Sequence, residues 1–166
     1  MDLCIPCGPA VAPSHSLVIV AGGGRDLLWL PAQIGAVLLA RTSGQLVHGL
    51  LHGGARGADR TIGRAANQLG WPVEVLPADW RRHGRAAGPI RNRELLEQAI
   101  AKAVAHTSPG SLASVLVVAF PGGPGTASLV REARHMASRS PVPIAVVEVS
   151  PAGGRCAVPV AAIALS

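Results

Sequence analysis

Short apolar runs that alternate with helix-like stretches constrain the fold of this chain more than any other feature. The run from Leu17 to Ala21 is continuous, rich in β-branched residues and followed by three glycines, as is typical of a strand that is buried on both faces before a tight turn. Similar runs occupy 17–21, 45–51, 73–76, 112–120 and 144–149. Because strands that alternate with helices pair in parallel, the sequence predicts an α/β fold: a Rossmann-like, doubly wound, mainly parallel sheet of about five to six strands with helices on both faces.

Helical patterns fill the intervals between these runs. The first covers 27–40, and its regular part should begin near Trp29 or Leu30, because Pro31 fits only the first turn of a helix. Three further helices are expected over 58–69, 89–105 and 126–138. The stretch 77–88 is polar and basic, and we expect it to be a loop.

The ends of the chain differ in composition from its middle. Residues 1–14 and 151–166 are rich in Pro, Gly and Ala, which predicts a flexible leader, a Rossmann-like domain over 15–150 and a C-terminal tail. The apolar run 158–165 is a candidate edge strand. Cys4 and Cys7 form a CxxC pair in the leader, but no second pair follows at the spacing of a zinc ribbon, so we expect neither a metal nor a cofactor.

Charge and hydropathy limit the partners. The formal net charge is +6, and Lys102 is the single lysine among 15 basic residues. Arginine holds a phosphate or a carboxylate at two points, so this balance favours an anionic partner. No apolar run reaches the roughly 18 residues that cross a bilayer, and the three cysteines form no even disulfide framework. We therefore expect a cytoplasmic protein that does not act on membranes.

Three glycine-bearing turns follow predicted strands, over 22–25, 53–57 and 122–126. The carboxyl ends of parallel strands meet at one edge, so these turns should converge on one crevice. Glycine allows close approach of a ligand to the backbone, and helix N-termini attract anions. No turn has the spacing of a P-loop or of a dinucleotide fingerprint, yet phosphate is the natural ligand of the crevice.

The candidate ligand-binding residues are the glycines of these turns and the polar residues beside them. They are Gly23, Arg25, Gly53, Gly54, Arg56, Gly57, Asp59, Arg91, Asn92, Gly122, Gly123, Gly125 and Thr126. For Asp59, a role as helix cap is favoured over contact with a ribose. His48 and His52 would lie about 13 Å apart on a strand, too far for one metal, so structural roles are expected for both.

Four segments carry a resemblance to a known family: VIVAGGGRD at 18–26, HGGARGADR at 52–60, PADWRRHGRAAGPIRNRE at 77–94 and VVAFPGGPGT at 117–126. Over about residues 17–149 the chain resembles the YspA or cpYpsA-related branch of the SLOG superfamily, found in bacteria and phages. The resemblance implies a Rossmann-like fold that binds a nucleotide or nucleotide-derived ligand at the GG and PGG turns, as a sensor or a ligand-processing domain.

The first alternative is an enzyme. LOG-type phosphoribohydrolases, which cleave the base from nucleoside monophosphates, share the PGGxGT turn but have acidic residues just after its Thr. This chain has Ser128 and Leu129 at those positions. A transition state that resembles an oxocarbenium ion is stabilised by a nearby carboxylate, so Glu132 is the catalytic candidate, and whether the protein is an enzyme stays open.

The second alternative is nucleic acid binding. The DNA-processing protein DprA, which loads recombinase on single-stranded DNA, has a turn similar to 54–59 and a helix start similar to 91–93. Single-strand binding relies on stacked aromatic side chains and a basic groove, and Trp80 among arginines is the one candidate platform. Nucleic acid is therefore less favoured than a small ligand. The sequence leaves open whether the protein forms a homo-oligomer.

Overall fold

The computed structural model describes residues 14–151. The predicted leader up to residue 13 with Cys4 and Cys7, and the candidate edge strand at 158–165, lie outside these residues. Ser14 and His15, by contrast, belong to the first strand, which starts three residues before the predicted run.

The elements alternate as predicted. In chain order they are β1 (Ser14–Gly22), α1 (Pro31–Thr42), β2 (Leu46–His52), α2 (Ala58–Gln68), β3 (Val73–Val75), α3 (Trp80–His83), a 3-10 turn (Gly84–Ala86), α4 (Ala87–Ala105), β4 (Ser111–Ala119), α5 (Pro124–Ala137) and β5 (Ile144–Glu148). The strands form one sheet in the order β3-β2-β1-β4-β5, and every pairing is parallel. This arrangement confirms the α/β, Rossmann-like, doubly wound fold.

Each face of the sheet is covered by one pair of helices. Ile19 and its neighbours at alternate positions of β1 pack in one cluster with α1 and α2, whereas Val18 and Val20 pack in a second cluster with α4 and α5. Both β1 and β4 are buried on both faces over most of their length, which explains why their sequences are apolar throughout.

Two further predicted boundaries are wrong. The stretch 77–88 is not a loop: it contains α3 and the 3-10 turn, and α4 already begins at Ala87. The cause is local, because the Asp79 carboxylate accepts a hydrogen bond of 3.0 Å from the Arg82 N–H and so caps α3. At the second boundary, α5 begins at Pro124 rather than at Thr126, because proline has no N–H to lose at the first position of a helix.

The two central strands are joined at the edge where they end. The N–H of Phe120 donates to the Gly22 carbonyl at 2.8 Å, and the N–H of Gly24 donates to the Pro121 carbonyl at 2.9 Å. After β1 the chain continues to α1 on one face of the sheet, and after β4 it continues to α5 on the other face. This is the point at which such a topology provides a crevice for ligands. No helix among residues 14–151 is long and apolar enough to span a membrane.

Candidate functional site

A cleft of about 1120 Å³ lies at the carboxyl edge of the sheet. Segments of all three glycine turns line it, together with the first turns of α4, Trp80 of α3 and Arg85 of the 3-10 turn. The three glycine turns therefore converge on one crevice, as predicted. Of the thirteen candidate ligand-binding residues, the cleft is lined by Gly23, Arg25, Gly53, Gly54, Arg56, Asp59, Arg91, Asn92, Gly122, Gly123, Gly125 and Thr126.

The turn between β4 and α5 leaves two glycines unexplained by folding. Side chains at Gly123 or Gly125 would meet nothing within 4 Å, and Gly123 has φ −97°, which other residues adopt as readily. A side chain at Gly122, in contrast, would overlap the Thr126 hydroxyl. Gly122 therefore serves the packing of the turn, while Gly123 and Gly125 keep the surface beside the α5 N-terminus bare.

The N-terminus of α5 points its unpaired backbone donors at this bare surface. The first N–H groups of a helix have no partner within it, and Pro124 at the first position has none to offer. The N–H groups of Gly125 and Thr126 are left, at the positive end of a helix of 14 residues. Asn92 holds the turn from α4, because its buried side chain donates to the Gly125 carbonyl at 3.2 Å.

The glycines of the β2–α2 turn allow close approach of neighbouring groups. A side chain at Gly53 would coincide with the Arg91 guanidinium, and one at Gly57 would coincide with the Arg25 carbonyl. Gly57 also has φ +80° and Gly54 has φ +67°, the left-handed region that favours glycine. Gly57 packs on the backbone of the β1–α1 turn and does not line the cleft as the structure describes it, so its requirement is structural.

Asp59 and Arg91 form a buried ion pair at the floor of the cleft. The Asp59 Oδ2 lies 3.7 Å from the Arg91 Nη1 and accepts a hydrogen bond of 3.1 Å from the Ala55 N–H. Burial raises the pKa of Asp59, although the Ala55 hydrogen bond and Arg91 oppose the rise. The expected capping role of Asp59 is wrong, because the cap of α2 is Gly57 and Asp59 is the second helical residue.

The Arg91 guanidinium has N–H donors without a hydrogen-bond partner among the described residues. Its side chain is only 15% exposed, and its Nε is buried with no hydrogen-bond partner among the described residues. Burial lowers its pKa and Asp59 opposes that change, but an arginine stays charged at neutral pH. A buried cation with unused donors beside a cleft favours an anionic ligand group.

His52, the last residue of β2, stabilises the β2–α2 turn. Its ring is buried, and Nδ1 accepts a hydrogen bond of 3.0 Å from the Gly54 N–H. Burial lowers the pKa of His52, which keeps the ring neutral and Nδ1 free to accept. His48 lies elsewhere, with its ring stacked on that of His106 at 3.7 Å. The structural roles predicted for His48 and His52 agree with these contacts, and residues 14–151 contain no cluster of three or more His, Cys, Asp or Glu side chains suited to a metal.

The structure does not bring Glu132 to the cleft. Its carboxylate accepts a hydrogen bond of 2.8 Å from the Arg93 Nε, and both residues line a separate groove between α4 and α5. The cleft carboxylates are instead Asp26 and Asp59. Sequence spacing places Glu132 in the early part of α5, but this spacing does not determine which side of the helix faces the ligand.

Trp80 and Arg85 also line the cleft. Sequence reasoning did not assign either residue to the small-ligand site. Both come from the stretch 77–88 that was expected to be a loop. The signal that could have found them is Asp79 three residues before Arg82, a spacing typical of a capped turn of helix.

Comparisons with known proteins support the assignment from motifs. Residues 17–83 match YAcAr, the YspA, cpYpsA-related SLOG family, so the predicted resemblance is confirmed over this segment, which includes the first two glycine turns and α3. The chain is also 46% identical over 52 residues to the Gene 61 protein of Mycobacterium phage D29, and the similarity covers 28% of this chain and 42% of that protein. The chain thus spans less than half the length of this relative. No solved structure matches the chain.

Proposed function

We propose that this protein, whose residues 17–83 match the YspA, cpYpsA-related SLOG family, binds a nucleotide or nucleotide-derived ligand in the cleft, as a sensor or ligand-processing domain. This match to a SLOG family favours a nucleotide-related ligand. The ligand's phosphate is proposed to lie against the N-terminus of α5, on the bare surface beside Gly123 and Gly125.

One observation carries this proposal: two glycines that the fold does not require flank the N-terminus of a long helix at a cleft. Open space lies where their side chains would be, and the N–H groups of Gly125 and Thr126 have no partner within α5. A phosphate accepts hydrogen bonds from such donors and is stabilised by the helix dipole. An ordinary surface turn would have no need of glycine at both positions.

The charges of the cleft agree with an anionic ligand. Arg25 and Arg56 are exposed residues of its lining, and Arg91 contributes unused donors at its floor. Of these three arginines, only Arg91 pairs with a carboxylate among the described residues. A ligand phosphate would therefore meet cationic groups that the fold leaves available.

Thermal unfolding with AMP, adenosine and single-stranded DNA tests the proposal. AMP should stabilise the protein saturably, by about 2.7 kcal/mol at 100 times its dissociation constant, and adenosine, which has no phosphate, should stabilise it far less. Stabilisation by DNA that grows with strand length and falls steeply with salt would support the nucleic acid alternative instead. No stabilisation by AMP at millimolar concentration, or equal stabilisation by adenosine, would overturn the phosphate site.

A further inference from the structure

Trp80 is exposed where a tryptophan is expected to be packed. The residue is 52% exposed and lines the cleft. The other two tryptophans, Trp29 and Trp71, are partly buried and pack against a core cluster, and Trp29 also meets the Phe120 ring edge-on at 6.0 Å. The apolar surface of Trp80 is therefore available to a ligand, and no described core cluster includes it.

The backbone at Trp80 is set by a capped turn of helix. It is the first residue of α3, which the Asp79 carboxylate caps. The far edge of the ring lies over the start of α4, where a side chain at Gly88 would come within 3.6 Å of Cη2. An indole has only two side-chain torsions to order and offers a flat apolar surface on which a base can stack.

We infer that Trp80 forms a nucleobase subsite, in which the base of the ligand stacks on the indole while its phosphate lies at the α5 N-terminus. This inference rests on the proposed phosphate site and adds the base as the second recognised group. Arg85, also of the lining, supplies a guanidinium that stacks on a base or meets its polar edge. A flat aromatic ring, an arginine and a separate phosphate site in one cleft match the three chemical parts of a nucleoside phosphate.

Comparison of AMP with ribose 5-phosphate tests the inference, because the two ligands share the phosphate and differ in the base. In calorimetric titrations, the parent should bind AMP more tightly than ribose 5-phosphate. The Trp80→Ala variant should bind AMP about 5- to 150-fold more weakly, the effect of losing one stacked base, with its affinity for ribose 5-phosphate unchanged within about twofold. Trp80→Phe keeps a ring and should keep most of the affinity for AMP.

Tryptophan fluorescence supplies an independent readout. AMP should quench the emission of the parent and of Trp71→Phe, the matched control with a core-packed tryptophan removed, but not that of Trp80→Phe. The Trp80 variants should melt within a few degrees of the parent, since the indole belongs to no core cluster, and this shows that they fold.

The outcomes separate the two proposals. If Trp80→Ala binds AMP as tightly as the parent, or loses AMP and ribose 5-phosphate equally, the base subsite is overturned and the phosphate site stands. If the parent binds both ligands equally, the base contributes nothing and the subsite is again overturned. If the parent binds neither ligand, the proposed function fails, and the subsite fails with it.

Discussion

Replacing Gly123 with valine should separate ligand binding from folding at the β4–α5 turn. The backbone of Gly123 is extended, with φ −97° and ψ −151°, and its side chain would enter open space. The free energy of unfolding should therefore stay within about 1 kcal/mol of the parent. The valine would, however, occupy the surface where the phosphate should lie. Loss of one charge-assisted hydrogen bond costs about 1.5–3 kcal/mol, which raises the dissociation constant of AMP about 10- to 150-fold.

Gly122→Ala is the matched control, one residue earlier in the same turn. Its methyl group would overlap the Thr126 hydroxyl and come within 2.7 Å of the Gly24 backbone nitrogen, so overpacking should lower the free energy of unfolding by about 1–3 kcal/mol. Urea unfolding measures both stabilities, and calorimetric titration measures AMP binding. If Gly123→Val is stable and still binds AMP like the parent, this turn is not the phosphate site. If Gly122→Ala is as stable as the parent, the packing argument is wrong.

Three further results are expected. Arg56→Ala should weaken AMP binding by about 1.5–3 kcal/mol in a calorimetric titration, with Arg64→Ala, an exposed arginine of α2 outside the cleft lining, as the control without effect; equal affinity in both variants would count against a contact between Arg56 and the phosphate. Release of free adenine from AMP should be weak or undetectable, and any turnover seen should fall in Asp59→Asn rather than in Glu132→Gln, because Asp59 lines the cleft and Glu132 does not; turnover lost only in the Glu132 variant would reverse that assignment. Because burial lowers the pKa of His52 from its ordinary 6.5, the folded protein resists protonation of this ring, and the free energy of unfolding should fall as the pH drops below about 6.5. His52→Asn keeps an acceptor for the Gly54 N–H and should make this fall smaller in urea titrations between about pH 5 and 7.5. An unchanged pH dependence in the variant would mean that other groups cause the fall.

Most of the fold follows from local sequence because the sheet is parallel and covered on both faces. Strands buried on two sides must be apolar throughout, so 112–120 identifies β4 to within one residue at each end. The early start of β1 does not follow from local sequence, because Ser14 and His15 are held in the sheet by pairing with Ser111 and Leu112 of β4. Such pairing depends on a strand far along the chain and leaves no mark on local hydropathy.

The site was predictable to the level of its turns but not of its side chains. Topology alone brings the three glycine turns to one edge. Which glycine serves the fold depends on what each would touch: Gly53 makes room for Arg91 and Gly57 for the backbone of Arg25, whereas Gly123 makes room for nothing in the described structure. These contacts join residues more than 30 positions apart, so no spacing rule distinguishes them.

The Arg-Asn-Arg segment, which was expected to begin the helix but lies in the second turn of α4, illustrates why a motif needs its contacts before it is given a function. Successive helical residues point about 100° apart, and each of the three reaches a different element. Arg91 lies over Gly53 beside Asp59 of α2, Asn92 holds the carbonyl of Gly125 at the start of α5, and Arg93 pairs with Glu132 on the outer side. The first two contacts fix the distance between the two turns that face each other across the cleft. The motif is thus explained by the assembly of the cleft, and its similarity to the DprA helix start does not by itself favour DNA as the ligand.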